Sequence, residues 1–228
     1  RFGVEHKKLL IEKGQSPQVL AMTATPIPRT LSITIHGDMD ISIIDELPKN
    51  RLPIKTDLVY PKKIDSIYEF MRKEMINGGQ CFVVYPLIDE SEKLDLEAAK
   101  SGYKKLQTIF KDFKVGYING KMNKDKIDEQ MIKMNKGEIN CLVATTVIEV
   151  GINIPNATVI MVENAERFGM TQLHQLRGRI GRGTKQSYCF FVQRKKTPNA
   201  DKRLRIMENT LDGFIISDED LKLRGPGD

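Results

Sequence analysis

An α/β fold, built on a parallel sheet with helices on both faces, is predicted by three features of this 228-residue chain. Short apolar runs recur from about residue 54 to residue 192, as strands buried on both sides require. Between them lie longer stretches with apolar residues at helical spacing, and strands that alternate with helices favour a parallel sheet. Hydrophobic content of 40% with 29% charged residues is that of a globular chain able to bury a core.

Taken in order, residues 19–22 form a short apolar run that ends in the hydroxyl-rich turn Thr23-Ala24-Thr25, before Pro26-Ile27-Pro28-Arg29 opens a helix. Two prolines among polar residues mark 47–53 as a linker. Residues 54–60 read as a strand. Ile64, Ile67, Tyr68, Met71 and Met75 mark a helix stopped by Gly78-Gly79. A strand over 81–87, a helix over 94–110 and a strand over 115–118 follow. Asn123 is placed to cap a helix running to about Lys136, with Ile127, Met131 and Met134 inward. Strands over 141–144, 158–162 and 188–192 complete the sheet. Residues 199–209 read as a short basic helix, and Ser217 with Asp220 three residues later reads as the start of a last one.

Composition narrows the function. No apolar run reaches the length of a membrane span, so no membrane partner is expected. Cys81, Cys141 and Cys189 are odd in number and lie in apolar runs, which argues against disulfides and for a reducing cytoplasm. His6, His36 and His174 lack metal-ligand spacing, and no metal site is expected on this chain. A net charge of +6 permits an acidic partner such as nucleic acid.

The densest chemistry lies in residues 172–183. As one helix at about 100° per residue, Leu173, Leu176 and Ile180 form a buried stripe. Gln175, Arg179 and Arg182 share a second side, and His174, Gly178 and Gly181 a third. Two guanidiniums three residues apart make a planar, permanently charged clamp for phosphate oxygens. Glycine weakens a helix interior by about 1 kcal/mol relative to alanine, so the two glycines suggest a site where a backbone or ligand comes close.

Gln175-x-x-Gly178-Arg179-x-Gly181-Arg182 resembles the last motif of superfamily 2 helicases, and Thr23-Ala24-Thr25 resembles the motif that couples ATP hydrolysis to nucleic-acid movement in that family. The longer run Met22-Thr23-Ala24-Thr25-Pro26-Ile27-Pro28-Arg29-Thr30 narrows the likeness to the RecG family of branched-DNA helicases and the related transcription–repair coupling factors. The resemblance implies a RecA-like domain. It also implies that Arg179 and Arg182 face the γ-phosphate of ATP while Gln175 orients nucleotide or water. In residues 142–157 it implies nucleotide contacts from Gly151 and Asn153 and nucleic-acid phosphate contacts from Thr145 and Thr146. Asn153 stands where the family usually has Asp, which keeps an acceptor oxygen and loses a charge. Lys121 stands where the family has a phosphate-binding Arg, and Arg224-Gly225 matches the translocation segment.

The nearest approach to a phosphate loop, Gly116 to Met122, has three residues between its glycines rather than four, and Met where Ser or Thr binds Mg²⁺. Asp45 and Glu46 end an apolar run but follow the Thr-Ala-Thr motif instead of preceding it, so they read as linker residues. The implied organisation is a remnant of a first RecA-like domain over 1–46, a linker over 47–53, a second RecA-like domain over 54–195, and part of a translocation segment over 196–228. The chain then represents half of an ATPase, cut just after the metal-binding box, and is inactive when isolated. ATP and Mg²⁺ would be bound mainly by the missing half. The implied work of the parent is ATP-driven fork reversal and branch migration on forked or branched DNA, in repair and recombination, by a cytoplasmic monomer. A coupling-factor motor and a non-catalytic nucleic-acid-binding module are the competing readings.

Overall fold

The computed structural model describes residues 51–87, 91–145 and 154–224, with isolated positions before residue 51. Six strands alternate with helices, as the periodicity predicts. They are β1 (Lys55–Val59), β2 (Gln80–Tyr85), β3 (Val115–Ile118), β4 (Cys141–Thr145), β5 (Ala157–Val162) and β6 (Tyr188–Val192). The helices are α1 (Ile64–Ile76), α2 (Glu92–Ile109), α3 (Lys124–Asn135), α4 (Met170–Arg177), α5 (Pro198–Asn209) and α6 (Gly213–Arg224). The strands form one sheet in the order β1-β6-β5-β2-β4-β3, and every pairing is parallel.

Alternation of side chains along each strand divides the core into two. Cys81 and Val83 of β2 point into one half with Val143 and Met161, where Met71 and Met75 of α1 and Leu106 of α2 cover them. Phe82 and Val84 point into the other with Leu142 and Ile160, beneath Met131 of α3, Leu173 of α4, Leu204 of α5 and Ile216 of α6. The inner strands β2, β4, β5 and β6 are covered on both sides, which explains why their sequences are apolar runs, whereas the edge strands β1 and β3 alternate in burial.

The junctions follow local chemistry. Gly78 ends α1 at φ 74°, the left-handed conformation that glycine adopts without a Cβ clash. Asn123 caps α3, its side chain accepting from Asp125 N at 3.2 Å. The expected helix start at Ser217 is corrected. Ser217 lies inside α6 and is buried, while Asp212 takes the capping role by accepting from Phe214 N at 2.7 Å.

Helices α5 and α6 share the main core. Leu204, Met207 and Ile216 are buried in it, and α5 guards the edge of the sheet. Glu208 Oε1 accepts the β1 amide of Leu58 at 2.8 Å, and Tyr60 donates to Asp201 at 2.8 Å. The three cysteines are free and buried. Cys81 and Cys141 are register partners on adjacent strands, and burial raises the Cys141 thiol to about 12.

Candidate functional site

The arginine-bearing stretch departs from the single helix expected over 172–183. Helix α4 begins at Met170, with Gln172 Oε1 accepting from Gly169 N at 3.0 Å, and ends at Arg177. Gly178 N still reaches His174 O at 3.0 Å and Arg179 N reaches Leu176 O at 3.0 Å, which closes the last turn. Gly181 then takes φ 70° and turns the chain away. Arg179 and Arg182 therefore stand on a glycine-hinged turn after the helix, not on a helical side shared with Gln175. Its anchor is Ile180, fully buried beside Leu173 and Leu176, as the apolar stripe requires.

The close approach expected at the glycines is made by the protein itself. Gly181 N lies 3.4 Å from the oxygen of Ala157, the first residue of β5. A Cβ on Gly181 would stand 3.0 Å from Ile54, and one on Gly183 only 2.6 Å from Pro155 O. The turn thus lies at the edge where the strands begin. Arg51 joins it, donating from Nε to Gly181 O at 2.7 Å.

Arg51, Arg179 and Arg182 are each partly exposed, and none forms an ion pair with a carboxylate among the described residues. Partial burial, and then the like charges of Arg179 and Arg51, hold the Arg182 guanidinium below its ordinary range. Arg182 Nε makes only a long contact, 3.5 Å, to Gly178 O. Guanidiniums with no carboxylate paired to them among the described residues have donors in the fork geometry that matches phosphate oxygens. Gln175 is half-buried one turn earlier, on α4.

At the opposite edge, where strands end, stand Thr145 and Lys121, two of the residues expected to meet nucleic acid. Thr145 closes β4 and is fully buried, and its hydroxyl accepts from Gly120 N at 3.3 Å. In this conformation it fastens the loop that carries Lys121. Asn119 Oδ1 accepts the Lys121 amide at 2.9 Å, and Lys121 Nζ pairs with Glu92 at 3.0 Å. An exposed pair of this kind contributes about 0–1 kcal/mol, so a phosphate can compete for the lysine. Thr23, Ala24, Thr25, Thr146, Gly151, Asn153, Gly225 and the Arg224 side chain lie outside the described residues. Pro155 lies against Gly183. Among the described residues no His, Cys, Asp and Glu cluster is suited to a metal.

Three contributions escape the motif pattern. Arg51 lies in the stretch read as a linker. Arg177 is 2% exposed and packs with the apolar stripe, a position legible as an arginine four residues after Leu173 and three before Ile180. The third is a bidentate pair beyond β5 and β6, in which Arg194 donates to buried Glu163 at 2.9 and 2.8 Å. Burial, and then the Glu163 charge, raise nearby Tyr68 to about 12. No local pattern joins residues 31 positions apart.

Comparison with known proteins agrees with this fold. Residues 62–184 match the helicase conserved C-terminal domain. Over all of its length the chain is 48% identical to the ATP-dependent DNA helicase RecG of Synechocystis sp. and 49% identical to that of Bacillus subtilis, covering 28% and 34% of those proteins. It thus spans about a third or less of the curated relatives it matches. A solved structure of RecG bound to a three-way DNA junction superposes with a TM-score of 0.79 and 44% identity, over 94% of this chain and 28% of that one. Saccharomyces cerevisiae Dbp5 bound to RNA and ADP BeF3 shares the fold at a TM-score of 0.55 and 12% identity, over 98% of this chain and 52% of its own. The expected RecA-like parallel sheet and the RecG likeness both hold, and the chain belongs to the helicase conserved C-terminal domain family.

Proposed function

We propose that this chain is one wall of the motor of an ATP-dependent DNA helicase that works on forked or branched DNA. The observation that carries the proposal is the arginine turn, where Arg179 and Arg182 stand half-exposed without a carboxylate partner among the described residues. In an assembled motor the two arginines stabilise charge on the transferring phosphoryl group, an effect of roughly 10³–10⁵ in rate where arginine fingers operate. Gln175 orients nucleotide or water beside them. Gly151 and Asn153 line the nucleotide, and Thr23, Ala24 and Thr25 couple its hydrolysis to movement.

Across the sheet, Lys121 and Thr146 hold the DNA backbone, which positions a strand without reading its sequence, while buried Thr145, expected to share that contact, instead seats the loop that carries Lys121. The likeness to a junction-bound RecG supports branched DNA as the substrate. Arg224 and Gly225 belong to the segment that moves it. The work so driven is fork reversal and branch migration in repair and recombination. Residues 1–46 complete a first motor domain, 47–53 link it to the second at 54–195, and 196–228 begin the translocation segment. Mg²⁺ would be held mainly by residues of the first motor domain and would supply neutralisation of phosphate charge. Free, buried cysteines suit a cytoplasmic protein, and we assign a monomer.

The test uses a longer helicase that contains this chain. Arg182→Ala should abolish DNA-stimulated hydrolysis while ATP binding is largely retained. Equal loss of both would make the residue structural. The 228-residue chain alone should show no Mg²⁺-dependent ATP turnover, and robust turnover would end the half-motor reading.

A further inference from the structure

Arg51 belongs to the stretch read as a linker, and the proposed motor gives it no task. Its Nε donates to the carbonyl of Gly181 at 2.7 Å, in the middle of the arginine turn. That bond uses one of the five donors of a guanidinium. The two terminal nitrogens, Nη1 and Nη2, have no partner among the described residues, and no described carboxylate pairs with the group.

The surrounding chain is fastened to the same place. Arg51 N bonds Pro48 O at 3.1 Å and Lys55 N bonds Ser187 O at 3.0 Å. Gln186 Nε2 donates to Pro53 O at 2.8 Å, and Ile54 packs against Gly181. Arg51 is therefore held in register with the turn rather than free on a tether. It is near enough to Arg182 for the two charges to repel, which like charges do weakly in water and more strongly at a partly buried site. Such an arrangement is unfavourable alone and favourable around a polyanion.

We infer that Arg51 is a third phosphate-binding residue of this site. With Nε anchored on Gly181 O, its terminal nitrogens face the same polyphosphate as Arg179 and Arg182. The nature of the ligand rests on the motor reading above. The consequence is that a residue of the linker belongs to the nucleotide wall itself.

Arg51→Gln separates anchoring from phosphate binding, because the glutamine amide nitrogen occupies the place of Nε and can still donate to Gly181. Binding of inorganic tripolyphosphate to the 228-residue chain is measured by calorimetry, with the melting temperature as the control for folding. Arg51→Gln should weaken binding about tenfold or more with little change in melting temperature. Arg179→Ala and Arg182→Ala should weaken it as well. Unchanged binding by Arg51→Gln, with loss in the other two, would overturn the role of Arg51 and leave the site intact. Unchanged binding by all three variants, or none by the unaltered chain, would overturn the site reading and this inference with it.

Discussion

The guanidinium of Arg177 donates from Nη1 to the main-chain oxygen of Met207 at 2.6 Å, joining the helix before the arginine turn to the last turn of α5. Carbonyls at a helix C-terminus lack intrahelical partners and carry partial negative charge, so a buried cation is well placed there. Nη2 lies 3.2 Å from His174 Nδ1, and Thr56 Oγ1 is 3.5 Å from Nη1. A charge buried to 2% exposure is thus met by neutral dipoles, with no carboxylate among the described residues paired to it. The contact fastens α5 to the helix that leads into the arginine turn.

Replacing Arg177 by Met keeps much of the volume and removes the donors. Met207 O then loses its buried partner, and we expect destabilisation of about 2–4 kcal/mol. Chemical denaturation of the chain measures this directly. A change below about 0.5 kcal/mol would show that the contact does not hold α4 to α5.

Gly181→Ala tests the hinge of the arginine turn. Its φ of 70° disfavours any side chain, and the new Cβ would press on Ile54 at 3.0 Å. We expect a loss of roughly 1–3 kcal/mol, from backbone strain and the tight contact together. Tripolyphosphate binding should fall in parallel, because the turn sets both arginines and the seat of Arg51. Normal stability and binding would mean that the turn accommodates a left-handed alanine.

His174 links stability to pH. Burial first and the Arg177 charge second lower its pKa below the ordinary 6.5, with Asp212 opposing. The unfolded chain therefore binds a proton more readily than the folded one. Stability is fully present above about pH 6.5 and is lost as pH falls from there through the depressed folded value. The melting temperature should drop between pH 7.5 and pH 5.5, and His174→Gln should flatten that drop. Parallel curves for the two proteins would exclude His174 as the source.

Much of the fold was legible because its signals are local. β3 and β6 lie where their apolar runs predicted, at Val115–Ile118 and Tyr188–Val192. Asn123 caps α3 as its side-chain chemistry dictates. The start of α6 was misplaced because Ser217 and Asp220 mimic a capping pair, whereas burial of Ser217 and the bonds made by Asp212 put the start earlier. The arginine stretch was misread for a related reason. Ile180 continues the apolar stripe of α4 even though the helix has ended, because the turn folds it into the same core.

The sequence alone determined the parallel α/β class, the inward faces of the helices and the pairing of arginine with glycine at residues 178–182. Each follows from periodicity or from chemistry within a few residues. Only tertiary structure decided that Arg179 and Arg182 stand on a turn, that Thr145 is fastened to Gly120, and that Arg177 reaches Met207. It also decided that Arg51, 130 positions from Gly181, completes the arginine cluster. The last of these arises when β1 and β6 pair at one edge of the sheet and bring residues 51–54 against the turn. Long-range packing of this kind leaves no periodic trace in the chain.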